Sequence, residues 1–115
     1  MKKISDGDGI AEVRVNIFDD LLNRMETVQG GVLATLIDGV TGTAVASTLS
    51  ANEYIVTTEL KINYLLPGTG EYLIGKAEMK HKGKTIAVAQ AEVYDSKNQL
   101  IALGMTSFMI LKHNK

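Results

Sequence analysis

QGGVLATLIDGVTGTAVASTL, residues 29 to 49, runs without a proline and carries one period along its length. Val32, Leu36 and Val40 recur at i, i+4 and i+8 with Leu33, Ile37 and Ala44 beside them, which makes a continuous apolar stripe on one side of a helix. At about 100° per residue, Gly31, Ala34, Thr35, Asp38, Gly42 and Val45 fall on or near another face. That face is built of small side chains with a single carboxylate in its middle, so a second backbone or a ligand can come close. Interior glycines such as Gly39 and Gly42 each cost about 0.5–1 kcal/mol relative to alanine. Packing against other elements must therefore hold the helix.

Outward from the helix the period changes to two. Thr58, Leu60, Ile62 and Tyr64 alternate with Thr57, Glu59, Lys61 and Asn63, a strand from Tyr54 to Leu66. Pro67-Gly68-Thr69-Gly70 reads as a turn, since proline presets φ and glycine accepts positive φ. A strand from about Glu71 to His81 follows, then a hairpin connection at Lys82-Gly83-Lys84 and a strand from Thr85 to Tyr94. In that strand Thr85, Ala87, Ala89, Ala91 and Val93 form a small-residue face able to take a helix at close range. Asp95 to Asn98 is a further turn. The last strand, about Gln99 to Leu111, is apolar on both faces, a pattern expected of a strand covered on both sides. Before the helix, Ile10, Val13, Val15 and Ile17 suggest a first strand, Phe18 to Leu22 a helical turn, and Asn23 to Thr27 a loop. Lys2 to Gly9 reads as a polar, flexible start.

The order strand, helix, four strands is an α+β arrangement: a five-stranded antiparallel sheet wrapped on one long helix. One helix cannot cover both faces of such a sheet. The remaining apolar face argues for self-association as a homodimer or homotetramer.

The chain has 115 residues, 12 basic and 13 acidic side chains and no cysteine. Its length suits one domain, residues 1–115. The near-balanced charge offers no global field for nucleic acid or an anionic membrane. The absence of cysteine removes disulfides, thiolate metal sites and a cysteine nucleophile. The two N-terminal lysines are followed by no apolar region, so no signal peptide is expected, and no apolar run has the length of a membrane span. A cytoplasmic protein that does not insert in membranes is the expectation.

Taken together, this order, QGGVLATLIDGVTG and the later TTELKINYLLPG resemble the hotdog-fold acyl-CoA thioesterases of the phenylacetate-degradation and 4-hydroxybenzoyl-CoA group. The resemblance covers nearly the whole chain. That family opens its central helix with His-Gly-Gly, places an acidic residue eight positions after the first glycine and an asparagine six before the histidine. Gly30-Gly31, Asp38 and Asn23 stand at those spacings. A Ser or Thr precedes a hydrophobic-x-Ile-x-Tyr pattern by three residues, and Thr57 stands so before Leu60, Ile62, Tyr64 and Pro67. GKTIAVAQAEVYD is similar to the penultimate strand. The departure is Gln29 in place of the histidine: its amide can donate a hydrogen bond but cannot shuttle a proton near neutral pH.

The resemblance implies hydrolysis of an acyl-CoA without a cofactor or metal. The amides of Gly30 and Gly31 would receive the oxyanion at a helix N-terminus, where lack of side chains permits close approach. Asp38 would act as general base or nucleophile on a substrate bound between subunits, reaching it from the subunit opposite the one offering Gly30. Asn23 would hold the thioester or a water, and Thr57 would orient the attacking water. Gln29 is a candidate substrate contact. Lys80, Lys82 and Lys84, three ammonium groups at one hairpin, are candidates for the CoA phosphates. A non-catalytic acyl-CoA or acyl-carrier binding protein on the same scaffold is the rival expectation, motivated by Gln29.

Overall fold

A computed structural model describes residues 1–113. The helix α1 spans Gly30–Ala46 and is preceded by strands β1 (Lys2–Gly7) and β2 (Ile10–Asn16) and a 3-10 turn at Asp19–Leu21. It is followed by β3 (Glu53–Tyr64), β4 (Tyr72–Lys82), β5 (Ile86–Asp95) and β6 (Leu100–Lys112). All six strands form one antiparallel sheet in the order β1-β2-β4-β5-β6-β3. The sheet curls round the helix, so that side chains from both edge strands reach it: Met1, next to β1, lies against Gly39, and Thr57 of β3 bonds Asp38.

The expected count of five strands is corrected to six. Residues expected to be a flexible start form β1, joined to β2 by Asp8-Gly9 with φ of 54° and 82°. Two positive φ values in a two-residue loop are what a hairpin following the strand twist requires, and Asp-Gly is a preferred pair for it. The strand escapes a hydrophobicity pattern because every residue of it is exposed.

Leu33, Leu36, Ile37, Val40 and Ala44 of the helix are buried against Val13, Leu73, Ala77, Ala91, Val93 and Ala102. The alanine face of β5 brings the backbones together as its residues imply, since Ala87, Ala89, Ala91 and Val93 are all buried. Two glycines seat the largest helix side chains. A Cβ on Gly75 would lie 3.1 Å from Leu36 Cδ1, and one on Gly104 would lie 3.1 Å from Ile37 Cγ2 and 2.7 Å from the Lys61 carbonyl. Val45, on or near the small-residue face by simple periodicity, is buried in a second cluster with Ala87, Ala89, Phe108 and Ile110. The helix ends at Ala46, short of Leu49, where Ser47 Oγ accepts the Gly9 amide at 2.9 Å and donates to the Ala44 carbonyl at 2.7 Å.

The outer sheet face keeps an apolar row. Ile86 pairs with Met109, which pairs with Val56, and all three are exposed. Ile101 falls at an irregularity in the β5–β6 register, between Ala102 and Leu100, and is fully buried beside Ala102.

Candidate active site

The helix N-terminus is open. Gln29 occupies the N-cap position without a side-chain cap, so the Gly30 and Gly31 N–H groups, which have no intrahelical acceptor by helix geometry, are free to bind an acceptor. A Cβ on Gly31 would meet nothing within 4 Å. On that side lies a groove of about 440 Å³ bounded by Met1, Val15, Phe18, Leu21, Gln29, Val32 and Thr35. On the Gly30 side a second groove of about 360 Å³ runs past Leu33, Tyr64, Leu65 and Leu66 to Gly68. The first is mostly apolar and the second is mixed polar and apolar, and the amides lie between them; the first has the chemistry of a slot for an acyl group ending in a carbonyl.

Asp38 stands two turns further along the exposed strip of the helix. Its Oδ1 accepts the Thr57 hydroxyl at 2.8 Å. Strict alternation would turn Thr57 outward with Glu59 and Lys61. The β3–β6 register instead skips one residue between Thr57↔Phe108 and Glu59↔Ser107, a bulge at Thr58 that returns Thr57 to the helix side. Among the described residues no Lys or Arg forms an ion pair with Asp38. A shallow depression of about 370 Å³ bounded by Gly39, Gly42, Ile55 and Phe108 lies over the pair. Small residues keep it open.

Asn23 is engaged within its own loop. Its Oδ1 accepts the amides of Met25 at 2.9 Å and Thr27 at 3.2 Å, and its Nδ2 donates to Thr27 Oγ1 at 2.9 Å. That network shapes a turn in which Glu26 takes a φ of 61°. Gln29 Nε2 donates to the carbonyls of Asp20 at 3.4 Å and Leu22 at 3.3 Å, tying the segment that carries Phe18 and Leu21 to the helix start. Gln29 thus forms part of the wall beside the amides, whereas Asn23 shapes the turn that leads to them.

The three hairpin lysines sit at the opposite end of the helix from Gly30 and Gly31. Lys82 Nζ donates to the Thr48 carbonyl at 2.8 Å, just beyond the helix C-terminus, where a cation is favoured. Lys80 pairs with Glu78 at 2.6 Å, and Lys84 is exposed. A helix of 17 residues is about 25 Å long, so these lysines and the glycines of one chain do not meet at a single thioester.

Within one chain the site comes in two halves. Eight residues separate Gly30 from Asp38, a rise of about 12 Å, too far for both to touch one carbonyl group. One half offers unpaired amides beside an apolar slot, the other an oriented carboxylate. Tyr64, whose hydroxyl donates to the Gly30 carbonyl at 3.2 Å, joins the first half. Spacing alone marks it only as the end of an apolar strand pattern.

Comparison with known proteins agrees with this architecture. The family model described as Thioesterase superfamily matches residues 25–102. Acyl-coenzyme A thioesterase PaaI of Escherichia coli K12 is 30% identical over 102 residues, which cover 87% of this chain and 70% of PaaI. The solved structure of PA5202 from Pseudomonas aeruginosa has a TM-score of 0.91 at 34% identity, over 96% of this chain and 87% of that one. BH2602 from Bacillus halodurans, solved with CoA, has a TM-score of 0.85 at 38% identity, over 87% and 66%. A helix set in an antiparallel sheet, amides bare at its start and a carboxylate on its open strip thus go with a family match over most of the length: the chain belongs to the thioesterase superfamily, as a hotdog-fold thioester hydrolase.

Proposed function

We propose that this protein hydrolyses an acyl-CoA to the free acid and CoA at a site shared between two copies. The observation that carries the reading is the Thr57–Asp38 hydrogen bond: a carboxylate with no cationic partner among the described residues, on an open small-residue face, oriented by a hydroxyl. A purely structural aspartate would be expected to have a basic partner. CoA in the BH2602 structure and the printed activity of PaaI favour acyl-CoA as the thioester.

The acyl chain would lie in the apolar slot beside Phe18, Leu21 and Val32, its carbonyl oxygen on the amides of Gly30 and Gly31. Asp38 of a second copy, held by Thr57 through Oδ1, has Oδ2 free to take a proton from water. Attack on the carbonyl gives a tetrahedral oxyanion, stabilised by the two amides. Its collapse breaks the C–S bond, and the proton held by Asp38 goes to the departing thiolate, giving acid and CoA thiol. Direct attack by the carboxylate, forming an acyl anhydride that water then opens, uses the same residues. Gln29 keeps the slot wall in place and carries no proton, which agrees with its two carbonyl contacts. Lys84, exposed and in no ion pair among the described residues, is the best placed of the hairpin lysines for a CoA phosphate.

The copies meet, on this reading, along β3. It is a 12-residue strand that among the described residues pairs on one side only and so presents a backbone edge. Thr57 and Tyr64 both lie on it, next to the two half-sites.

Free-thiol release from short, long and aromatic acyl-CoAs tests the function. Wild type is expected to release thiol from at least one class and folded Asp38→Asn to lose most of it. Binding of acyl-CoA without turnover in wild type would favour a binding protein on this scaffold.

A further inference from the structure

Tyr64 closes β3 on the side that carries Leu60 and Ile62, both packed against the core. Its hydroxyl donates to the Gly30 carbonyl at 3.2 Å. In a trans peptide unit the carbonyl of one residue and the N–H of the next lie in one plane and point in opposite directions. The Gly30 carbonyl is therefore the far end of the same rigid unit that presents the Gly31 N–H to the slot. Holding one fixes the aim of the other.

Helix geometry gives that plane one fastening, the Ala34 N–H donating to the Gly30 carbonyl, and the tyrosine adds a second. Two successive glycines have the least restricted backbone of any pair, and no side chain caps this helix start. The two faces of the glycine pair also differ. A Cβ on Gly30 would stand 3.5 Å from the Tyr64 hydroxyl and 3.6 Å from its ring carbons, whereas one on Gly31 would meet nothing within 4 Å. The tyrosine thus backs the peptide on one side and leaves the other open to a ligand. A hydrogen bond accepted by a carbonyl also polarises its amide and makes the attached N–H a stronger donor.

We infer that Tyr64 is a positioning residue for the hydrolysis, acting through the Gly30–Gly31 peptide to aim and polarise the Gly31 N–H toward the thioester oxyanion. The inference rests on the reading that these amides form the oxyanion site. Tyr64 touches no reacting atom. Because the oxyanion develops fully only in the transition state, loss of the phenol falls on kcat and leaves KM unchanged.

The test is Tyr64→Phe, which keeps the ring and removes only the hydroxyl. Thiol-release kinetics are expected to show kcat about three- to tenfold lower, the scale of one neutral hydrogen bond, with KM and the pH profile as in wild type. The Gly31 amide is expected to move to lower 15N frequency in the variant, because its carbonyl has lost a donor; this readout needs no turnover. With an active wild type, an unchanged kcat, or a change in KM alone, would overturn the role and leave the thioesterase reading intact. A wild type inactive on every acyl-CoA would overturn both.

Discussion

On the proposed reading the chemistry depends on Asp38, and its surroundings explain why a carboxylate is tolerated there. It is half-buried, flanked by Gly39 and Gly42, and accepts one hydroxyl. Its second oxygen remains for water. Asp38→Asn keeps the size and removes the basicity, so kcat is expected to fall by about 10²–10⁴, the usual range for a general base, with thermal stability little changed. Thr57→Val leaves the carboxylate in place without its donor; hydrolysis is expected to drop about tenfold, with KM steady. Steady-state kinetics beside a melting curve check both. The spacing of Gly30, Gly31 and Asp38 was readable from the chain itself because a helix converts spacing into direction. The direction of Thr57 was not. It depends on the bulge at Thr58, and a bulge leaves no mark in a pattern of alternating residues. Asn23 was readable as a conspicuous residue, but its partners lie within its own turn.

At the scale of elements, the helix and the four strands after it follow from periodicity, since each buries one face. β1 buries none, and its only signal was the Asp8-Gly9 pair that closes the hairpin. Equally invisible were the seats made by Gly75 and Gly104, which exist only once the helix lies on the sheet. Gly104 is the tighter, with a backbone oxygen 2.7 Å from any added Cβ. Gly104→Ala must push strand or helix apart and is expected to cost about 1–3 kcal/mol, read as a lower urea midpoint at unchanged m. The loop before β3 carries a pH-dependent contribution. The Ser50 amide donates to Glu53 Oε1 at 2.9 Å, and this bond holds the Glu53 carboxyl below its ordinary pKa. A lowered pKa stabilises the fold above the unfolded-state value and is lost as pH falls through the folded one. The melting-temperature gap between wild type and Glu53→Gln is therefore expected to be small at neutral pH and to close on acidification below about pH 4.3.

For the whole molecule, the two half-sites, the β3 edge and the exposed row Ile86, Met109 and Val56 favour a chain that works as a homodimer or homotetramer. Surplus apolar residues on the last strand were the sequence signal for this expectation, and Met105 and Met109 are exposed in the single chain. Among the described residues no helix is long and apolar enough to cross a membrane. Light scattering after gel filtration is expected to give an even-numbered assembly at micromolar concentration. The most direct measurement is subunit complementation. Asp38→Ala removes the carboxylate half, and Gly31→Leu fills the open slot where the structure has space for a side chain, so each alone is expected to be folded and inactive. Co-refolded in equal amounts, they place one intact Asp38 opposite one intact Gly31, and about a quarter of wild-type thiol release is expected from random two-fold pairing. Mixed dimers that form and stay inactive would contradict the shared site.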